Sequence, residues 1–365
     1  MATKISRRKK KKTSGSKKNI LYIITAVAAI FLIGIGVIFK RYVLDKVTDT
    51  SFFIYIDENS SLDSVSEDLQ KYLEKSDVNK IRRLSKLNGY TPWNKPGAYR
   101  IDPEMNAIRI YRKLSTGSQT PIRFTFNNIR TKDDLAETID KQLKMDKQEV
   151  LELLNDSAFC TDMGFDTYTI PVLFLPDSYE VYWTIAPRKL MEKMRQEYDR
   201  FWTDDRRMLA TQIGITPIEV STLASIVEEE TKVPDEMNMV AGLYLNRLKK
   251  GMPLQADPTV KYAVGDFSIR RILHEHLTVN SPYNTYKNTG LPPGPIRIPS
   301  KAAIKAVLNY RHHPFIYMCA KEDFSGRHNF ATTYAEHQNN AIKVSFLFQY
   351  TSRLLNVMTK SITTA

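Results

Sequence analysis

Three consecutive carboxylates close the segment Thr216 to Thr231, which reads T-P-I-E-V-S-T-L-A-S-I-V-E-E-E-T. Thr216, Pro217 and Glu219 form a helix-start signal: a capping hydroxyl, proline at the first helical position, and an acid three residues after the cap. At about 100° per residue, Val220, Leu223, Ile226 and Val227 make one stripe, with Glu230 near its centre. Glu228 and Glu229 point elsewhere. A carboxyl among apolar neighbours resists ionisation and holds a proton at neutral pH, which is what a general acid requires. Three solvated charges at a helix end would read the same way, and the helical wheel alone leaves both readings open.

The chain that must position this acid has 365 residues, enough for two or three domains. Its formal charge of +13 is concentrated at one end. Residues 1–41 hold eleven Lys or Arg and no acid, which leaves +2 for all the rest. Neither a zinc-finger spacing nor a P-loop accompanies the basic excess, so nucleic acid is disfavoured as a partner. Ile20 to Phe39 is a 20-residue run without a charge, long enough to cross a bilayer as a helix. Nine basic residues precede it, which predicts a cytoplasmic N-terminus, residues 1–19, and an external remainder. Lys40-Arg41-Tyr42 lacks the small residues of a signal-peptidase site, so an uncleaved anchor is expected. Cys160 and Cys319 leave a disulfide and two separate thiols both open. His274-x-His276 and His312-His313 lack zinc-site spacing, and no metal or cofactor is expected.

Beyond the anchor the pattern is α+β. Strands are predicted at Phe52 to Ile56, around Gly97 to Ile101, and at Ile122 to Phe126, with helices at Ser61 to Leu73 and Ala107 to Leu114. Thr131 to Leu143 echoes Ser61 to Leu73, which suggests two similar strand–helix units. Leu173 to Glu180 reads as an apolar run ending in a Pro-Asp turn. Helices follow at Arg188 to Trp202, Asp235 to Leu248 and Ala302 to Leu308, then a buried strand at Phe315 to Ala320 and a largely helical Ala331 to Leu354. Gly251 to Val260 and Gly290 to Pro295 are punctuated by turn formers, and such loops often carry binding groups on a rigid scaffold.

Six segments in series carry a resemblance: L-F-L-P-D-S-Y at 173–179, L-A-S-I-V-E-E-E-T at 223–231, N-R-L at 246–248, G-M-P-L-Q-A-D-P-T-V at 251–260, Y-N-T-Y-K-N-T-G-L-P-P-G-P-I at 283–296, and H-N-F-A-T-T-Y-A-E-H at 328–337. Together with the anchor they make the chain similar to the MltG (YceG-like) family of endolytic murein transglycosylases. The resemblance implies a single transmembrane helix at 20–39, a small LysM-like α+β module at 48–125, and a larger α+β catalytic domain at 126–365. It also implies cleavage of the bond from N-acetylmuramic acid to N-acetylglucosamine in nascent peptidoglycan at the inner membrane, with synthases as partners. The essential acid of the family's I-[IV]-E-x-E segment falls on Glu230, which the resemblance implies is the sole general acid and base, with Glu228 in support.

Polar groups on the punctuated loops are the candidates for holding sugar: Gln255, Asp257, Thr259, Asn284, Tyr286 and Asn329, with Tyr262 and Tyr286 able to stack on a sugar face. Asp177 is a further supporting candidate. Each also suits plain turn chemistry, Asp257 before Pro258 and Asn284 before Thr285 above all. Two rival functions remain at this level. One is a hydrolase pairing Glu230 with Asp257 or Asp177, and the other a non-catalytic wall-binding scaffold.

Overall fold

The computed structural model describes residues 14–323 and 325–344. The basic tail through residue 13 and the predicted helix beyond residue 344 lie outside them. The chain divides into two compact units: residues up to Ile122 with Tyr182–Thr184, and the remainder from Arg123 onward.

The first unit opens with α1, Ser14–Phe39, which runs into a π-helical turn at Lys40–Leu44. The stretch Lys18–Leu44 is long and apolar enough to cross a membrane, and none of it is buried in protein. Strand β1 (Phe52–Ile56) pairs antiparallel with β2 (Gly97–Ile101), matching Phe52 with Ile101 and Ile56 with Gly97. The period of two turns Phe52, Ile54 and Ile56 inward, where they meet α2 (Leu62–Gln70), α3 (Lys75–Leu87) and α4 (Ala107–Ser115). Ser61 starts α2 with a reciprocal cap, and Asn106 starts α4 by accepting the Arg109 N–H. Val65, Leu69, Ile81, Tyr99 and Ile110 complete a core that belongs to this unit alone.

In the second unit β3 (Ile122–Phe126) pairs with β4 (Asp177–Val181). A strand thus occupies the place where a Pro-Asp turn was expected, because Tyr179 and Val181 alternate inward beyond that turn. Helices α5 (Lys132–Gln142), α6 (Lys147–Asn155), α7 (Ser157–Asp162), α8 (Pro187–Phe201) and α9 (Asp204–Ile213) lead to the helix that ends in three glutamates. This is α10, Pro217–Glu230, and it begins as its sequence predicts. The Glu219 N–H donates to Thr216 Oγ1 at 3.2 Å, and the Thr216 N–H donates to the Glu219 carboxylate at 2.7 Å.

The amphipathic expectation for α10 fails in one respect. Every residue from Val220 to Val227 is buried, the polar ones included. The helix runs through the middle of the unit, touching α9, α11 (Met237–Lys249), α12 (Asp257–Val264) and α14 (Lys301–Leu308). Ala224, Ser221 and Ser225 allow that approach because they are small. Ser225 Oγ accepts the Ile296 N–H at 3.0 Å and donates to the Thr222 carbonyl, so its burial leaves no group unpaired.

Helix α12 was read as a turn-rich loop, yet Pro258 merely occupies its first turn, where the missing N–H costs nothing. A short α13 (His274–Leu277) precedes the 283–296 segment. Strands β5 (Tyr317–Ala320) and β6 (His328–Ala331) form an antiparallel ribbon that matches Cys319 with Asn329 and Ala320 with His328. The ribbon is half-buried where a buried strand was predicted, and residues 334–344 are helical. Both cysteines are free thiols.

Candidate active site

A cavity of about 280 Å³ in the second unit collects side chains from five places in the sequence. Helix α10 supplies Glu230, its last residue, and α11 supplies Leu243, Tyr244 and Arg247. The 254–257 turn supplies Leu254, Gln255 and Asp257, Tyr286 comes from the next punctuated loop, and the β5–β6 ribbon gives Met318 to Ala320 and His328.

The three glutamates have separate fates. The Tyr244 hydroxyl donates to Glu230 Oε1 at 2.7 Å. Burial pushes the Glu230 carboxyl up from 4.5 to about 7, and the Asp257 and Glu229 charges push the same way against the Tyr244 bond and the Arg247 charge. Glu230 retains some exposure because it lines an open cavity, but enough protein surrounds the carboxyl for desolvation to dominate. Glu229 is also desolvated, yet Arg130 at 2.8 Å, Lys232 and Arg297 outweigh that and hold it below the usual range. Glu228 Oε2 accepts the Ser300 N–H at 2.9 Å, tying the end of α10 to the start of α14, and lies 3.5 Å from Arg297 Nε. Glu228 and Glu229 are therefore engaged in ion pairs and are not free helix-end charges.

Of the loop residues predicted to hold a ligand, Gln255, Asp257 and Tyr286 line the cavity with Glu230. The Tyr286 hydroxyl donates to Asp257 Oδ1 at 2.6 Å, and burial raises the Tyr286 phenol with the Asp257 charge adding to it. Gln255 has φ of 50°, a left-handed conformation that few side-chain-bearing residues adopt, and its N–H donates to the Thr285 carbonyl at 3.1 Å.

The other candidates build the walls from behind. Thr259 is fully buried, and its hydroxyl donates to the Ala256 carbonyl at 2.7 Å and lies 2.8 Å from Thr285 Oγ1. Asn284, also fully buried, donates its amide to the Leu277 and Val279 carbonyls and accepts the Tyr286 N–H. Both are turn scaffolding, the alternative their sequence contexts had allowed. Tyr262 lies against Tyr283 with ring centroids 4.7 Å apart, and is not among the cavity residues. Asn329 binds Glu322 at 2.6 Å on the ribbon face opposite to His328, as the alternation of a strand requires. Asp177 is paired with Lys301 at the start of β4 and also lies outside the cavity, so it supplies no second carboxylate beside Glu230.

Three hydrogen-bonding side chains of the cavity, Tyr244, Arg247 and His328, lie outside the candidates that the sequence offers. Tyr244 sits in an apolar helix, where a tyrosine looks like core. Arg247 is buried with its guanidinium on backbone carbonyls, Nε to Ile316 at 2.6 Å and Nη1 to Leu254 at 2.7 Å, and no carboxylate lies within ion-pair distance among the described residues. His328 is held by Glu236, a residue 92 positions away. The motifs N-R-L and H-N-F-A contain the last two, and that was the one signal available for them.

Comparison with known proteins points to one family. The family model described as the YceG-like family matches residues 54–343. A Bacillus subtilis protein named endolytic murein transglycosylase is 28% identical over 317 residues, covering 80% of this chain and 85% of its own length. A Streptococcus pneumoniae protein of the same name is 26% identical over 358 residues, and the match covers 87% of this chain and 64% of that longer protein. The crystal structure of a YceG-like protein from Listeria monocytogenes superposes with a TM-score of 0.55 at 27% identity, covering 80% of this chain and 99% of the other.

Proposed function

The chain belongs to the YceG-like family, and from that premise we propose that it is a membrane-anchored lytic transglycosylase acting on peptidoglycan, with Glu230 as its general acid. The observation that carries this reading is the Glu230 carboxyl itself, pushed up to about 7 inside a polar cavity and bonded to Tyr244. A carboxyl raised so far keeps its proton well above the pH at which a free glutamate loses it, and still gives it up readily.

The substrate is the β-1,4 bond between N-acetylmuramic acid and N-acetylglucosamine. Glu230 protonates the leaving glycosidic oxygen as the bond to the muramyl C1 breaks. The muramyl C6 oxygen then bonds to C1 and closes a 1,6-anhydro ring, its proton passing to a base in the same cavity. Because the nucleophile belongs to the substrate, no second protein carboxylate is obligatory, in contrast to most glycosidases. Asp257 stabilises positive charge on the opening sugar ring, with its orientation fixed by Tyr286. Gln255 and Arg247 offer donors to acetamido, hydroxyl or lactyl oxygens.

The N-terminal helix anchors the enzyme with its catalytic unit outside the cytoplasm, and the basic residues before it favour that orientation. The first unit, with a core of its own, serves as the LysM-like module that holds glycan. Confinement near the membrane suits termination of newly made strands, and a peptidoglycan synthase is the partner that this position implies.

The test is Glu230→Gln in the full-length protein, incubated with uncrosslinked glycan strands. The variant should fold and release no 1,6-anhydro ends. Wild-type yields would refute the assignment. A second reading, hydrolysis, draws on Asp257 lining the same cavity. Mass spectrometry separates the two, since hydrolysis leaves each new reducing end one water heavier than the anhydro form.

A further inference from the structure

The cavity holds a second group suited to moving protons. His328 lies at the start of β6, and Glu236 ends the short 3-10 turn Pro234–Glu236 before α11. Glu236 is buried, with 4% exposure. Its carboxylate accepts the His328 backbone N–H at 2.8 Å and lies 2.9 Å from His328 Nδ1. It also accepts the Thr231 hydroxyl at 2.9 Å. Thr231 Oγ1 in turn accepts the Val233 N–H, so its own proton points to Glu236. Three donors therefore converge on one carboxylate, and Nδ1 must carry a hydrogen. In a neutral imidazole that leaves Nε2 with a bare lone pair. His328 lines the cavity that contains Glu230, and Thr231 follows Glu230 directly in the chain. The two proton-handling groups are thus fixed to the same few residues.

We infer that His328 is the second catalytic residue of the proposed reaction, taking the proton from the muramyl C6 hydroxyl, with Glu236 as the positioning residue that fixes its tautomer. The inference rests on the transglycosylase reading above. In the step, the C6 O–H bond breaks and its proton goes to His328 Nε2. C1 has by then parted from the glucosaminyl oxygen, which receives the Glu230 proton, and the C6 oxygen bonds to the oxocarbenium-like C1 on the face the leaving oxygen has vacated. The enzyme returns to its starting state when the imidazolium proton passes through cavity water to the Glu230 carboxylate. Atoms and charge balance, and no oxidant or further reactant is needed. This division spares Glu230 from reversing its role between the two steps. The charged neighbours are consistent with it: Glu236 touches the ring, the exposed Asp235–Arg327 ion pair flanks it, and Glu230, Tyr244, Arg247, Asp257 and Cys319 share the cavity.

The two proton schemes predict different pH profiles. With Glu230 alone, kcat/KM stays level toward acid and falls as Glu230 ionises. With His328 as base, activity also falls in acid as the imidazole gains its proton, which gives a bell. The experiment compares full-length wild type, His328→Gln, Glu236→Gln and Glu230→Gln on uncrosslinked glycan strands across pH, reading 1,6-anhydro ends. His328→Gln should lose about 100-fold in kcat/KM and its acid limb, as removal of a general base requires. Glu236→Gln should move the acid limb to lower pH, because the charge favouring the imidazolium is gone, and a purely structural role would not do this. Imidazole added to His328→Ala should restore part of the lost rate. An His328→Gln enzyme within about threefold of wild type, with an unchanged profile, would overturn the assignment. Nitrogen NMR of the unsubstituted protein is independent of how the variants fold: neutral His328 must show hydrogen on Nδ1, and hydrogen on Nε2 overturns the proposal. If Glu230→Gln remains active, the reading of the cavity fails. If Glu230→Gln is dead while His328→Gln keeps the acid limb, only the present inference fails.

Discussion

The Glu230 carboxyl should cost the protein stability in proportion to its displacement, and Glu230→Gln should recover it. Burial moves this group from 4.5 to about 7. At acid pH it is protonated in both folded and unfolded chains and contributes no pH dependence. As pH rises through its unfolded value, the unfolded chain ionises while the native cavity keeps the proton. Native stability therefore falls over that interval and levels off above the native value. About 1.4 kcal/mol for each pH unit of displacement gives roughly 3 kcal/mol, and water in the open cavity trims this to about 2–3 kcal/mol. Glutamine keeps the shape and still accepts the Tyr244 hydroxyl, but has no charge to desolvate. Paired calorimetric melts of wild type and variant at about pH 4 and about pH 8 measure the difference. The variant should match wild type in acid and melt several degrees higher in base. Equal melting at both pH values would mean that the carboxyl is solvated and the argument from burial is wrong.

Tyr244→Phe removes a hydrogen bond that steadies the Glu230 carboxylate. A bond to an ionised group is worth about 1.5–3 kcal/mol, less what cavity water replaces, so the alkaline limb of kcat/KM should rise by about one pH unit. An unchanged or lowered limb in the measured profile would refute that role. Arg297→Met leaves Glu228 and Glu229 without the cation they share, with Arg130 and Lys232 remaining for Glu229. Breaking a buried ion pair from one side costs about 3–5 kcal/mol, which denaturant unfolding would register as a lowered midpoint.

Local chemistry made much of this fold legible. Ser61, Thr131 and Thr216 each sit three residues before a partner that completes a reciprocal cap, and α2, α5 and α10 begin there. Runs of apolar and aromatic residues placed β1 and β3 with the observed bounds and marked the region of β2. What failed was decided by groups distant in sequence. The polar face of α10 is buried because α9, α11, α12 and α14 surround it, and no wheel can show that enclosure. Within the site, Glu230, Gln255, Asp257 and Tyr286 were legible because they sit in distinctive short segments. Asn284 and Thr259 share those segments but turn inward to carbonyls and a hydroxyl of the same loops. Tyr244 needed knowledge of which helix faces the end of α10. His328 needed Glu236, and nothing in either local sequence points to the other.

The end of α10 has a consequence for where the proton resides. A helix gathers about half a negative charge at its C-terminus, from carbonyls that no further turn can satisfy. Three acids in that last turn add to a field already hostile to anions. Arg297, Arg130 and the Ser300 amide offset two of them; among the described residues no cation pairs directly with the third, which is bonded to the Tyr244 hydroxyl and feels the Arg247 charge from a distance. The proton on Glu230 therefore serves as the missing counter-ion of the helix terminus. In the proposed reaction, loss of that proton leaves the terminus electrostatically overloaded until another arrives, so the scaffold itself favours return of the acid to its starting state.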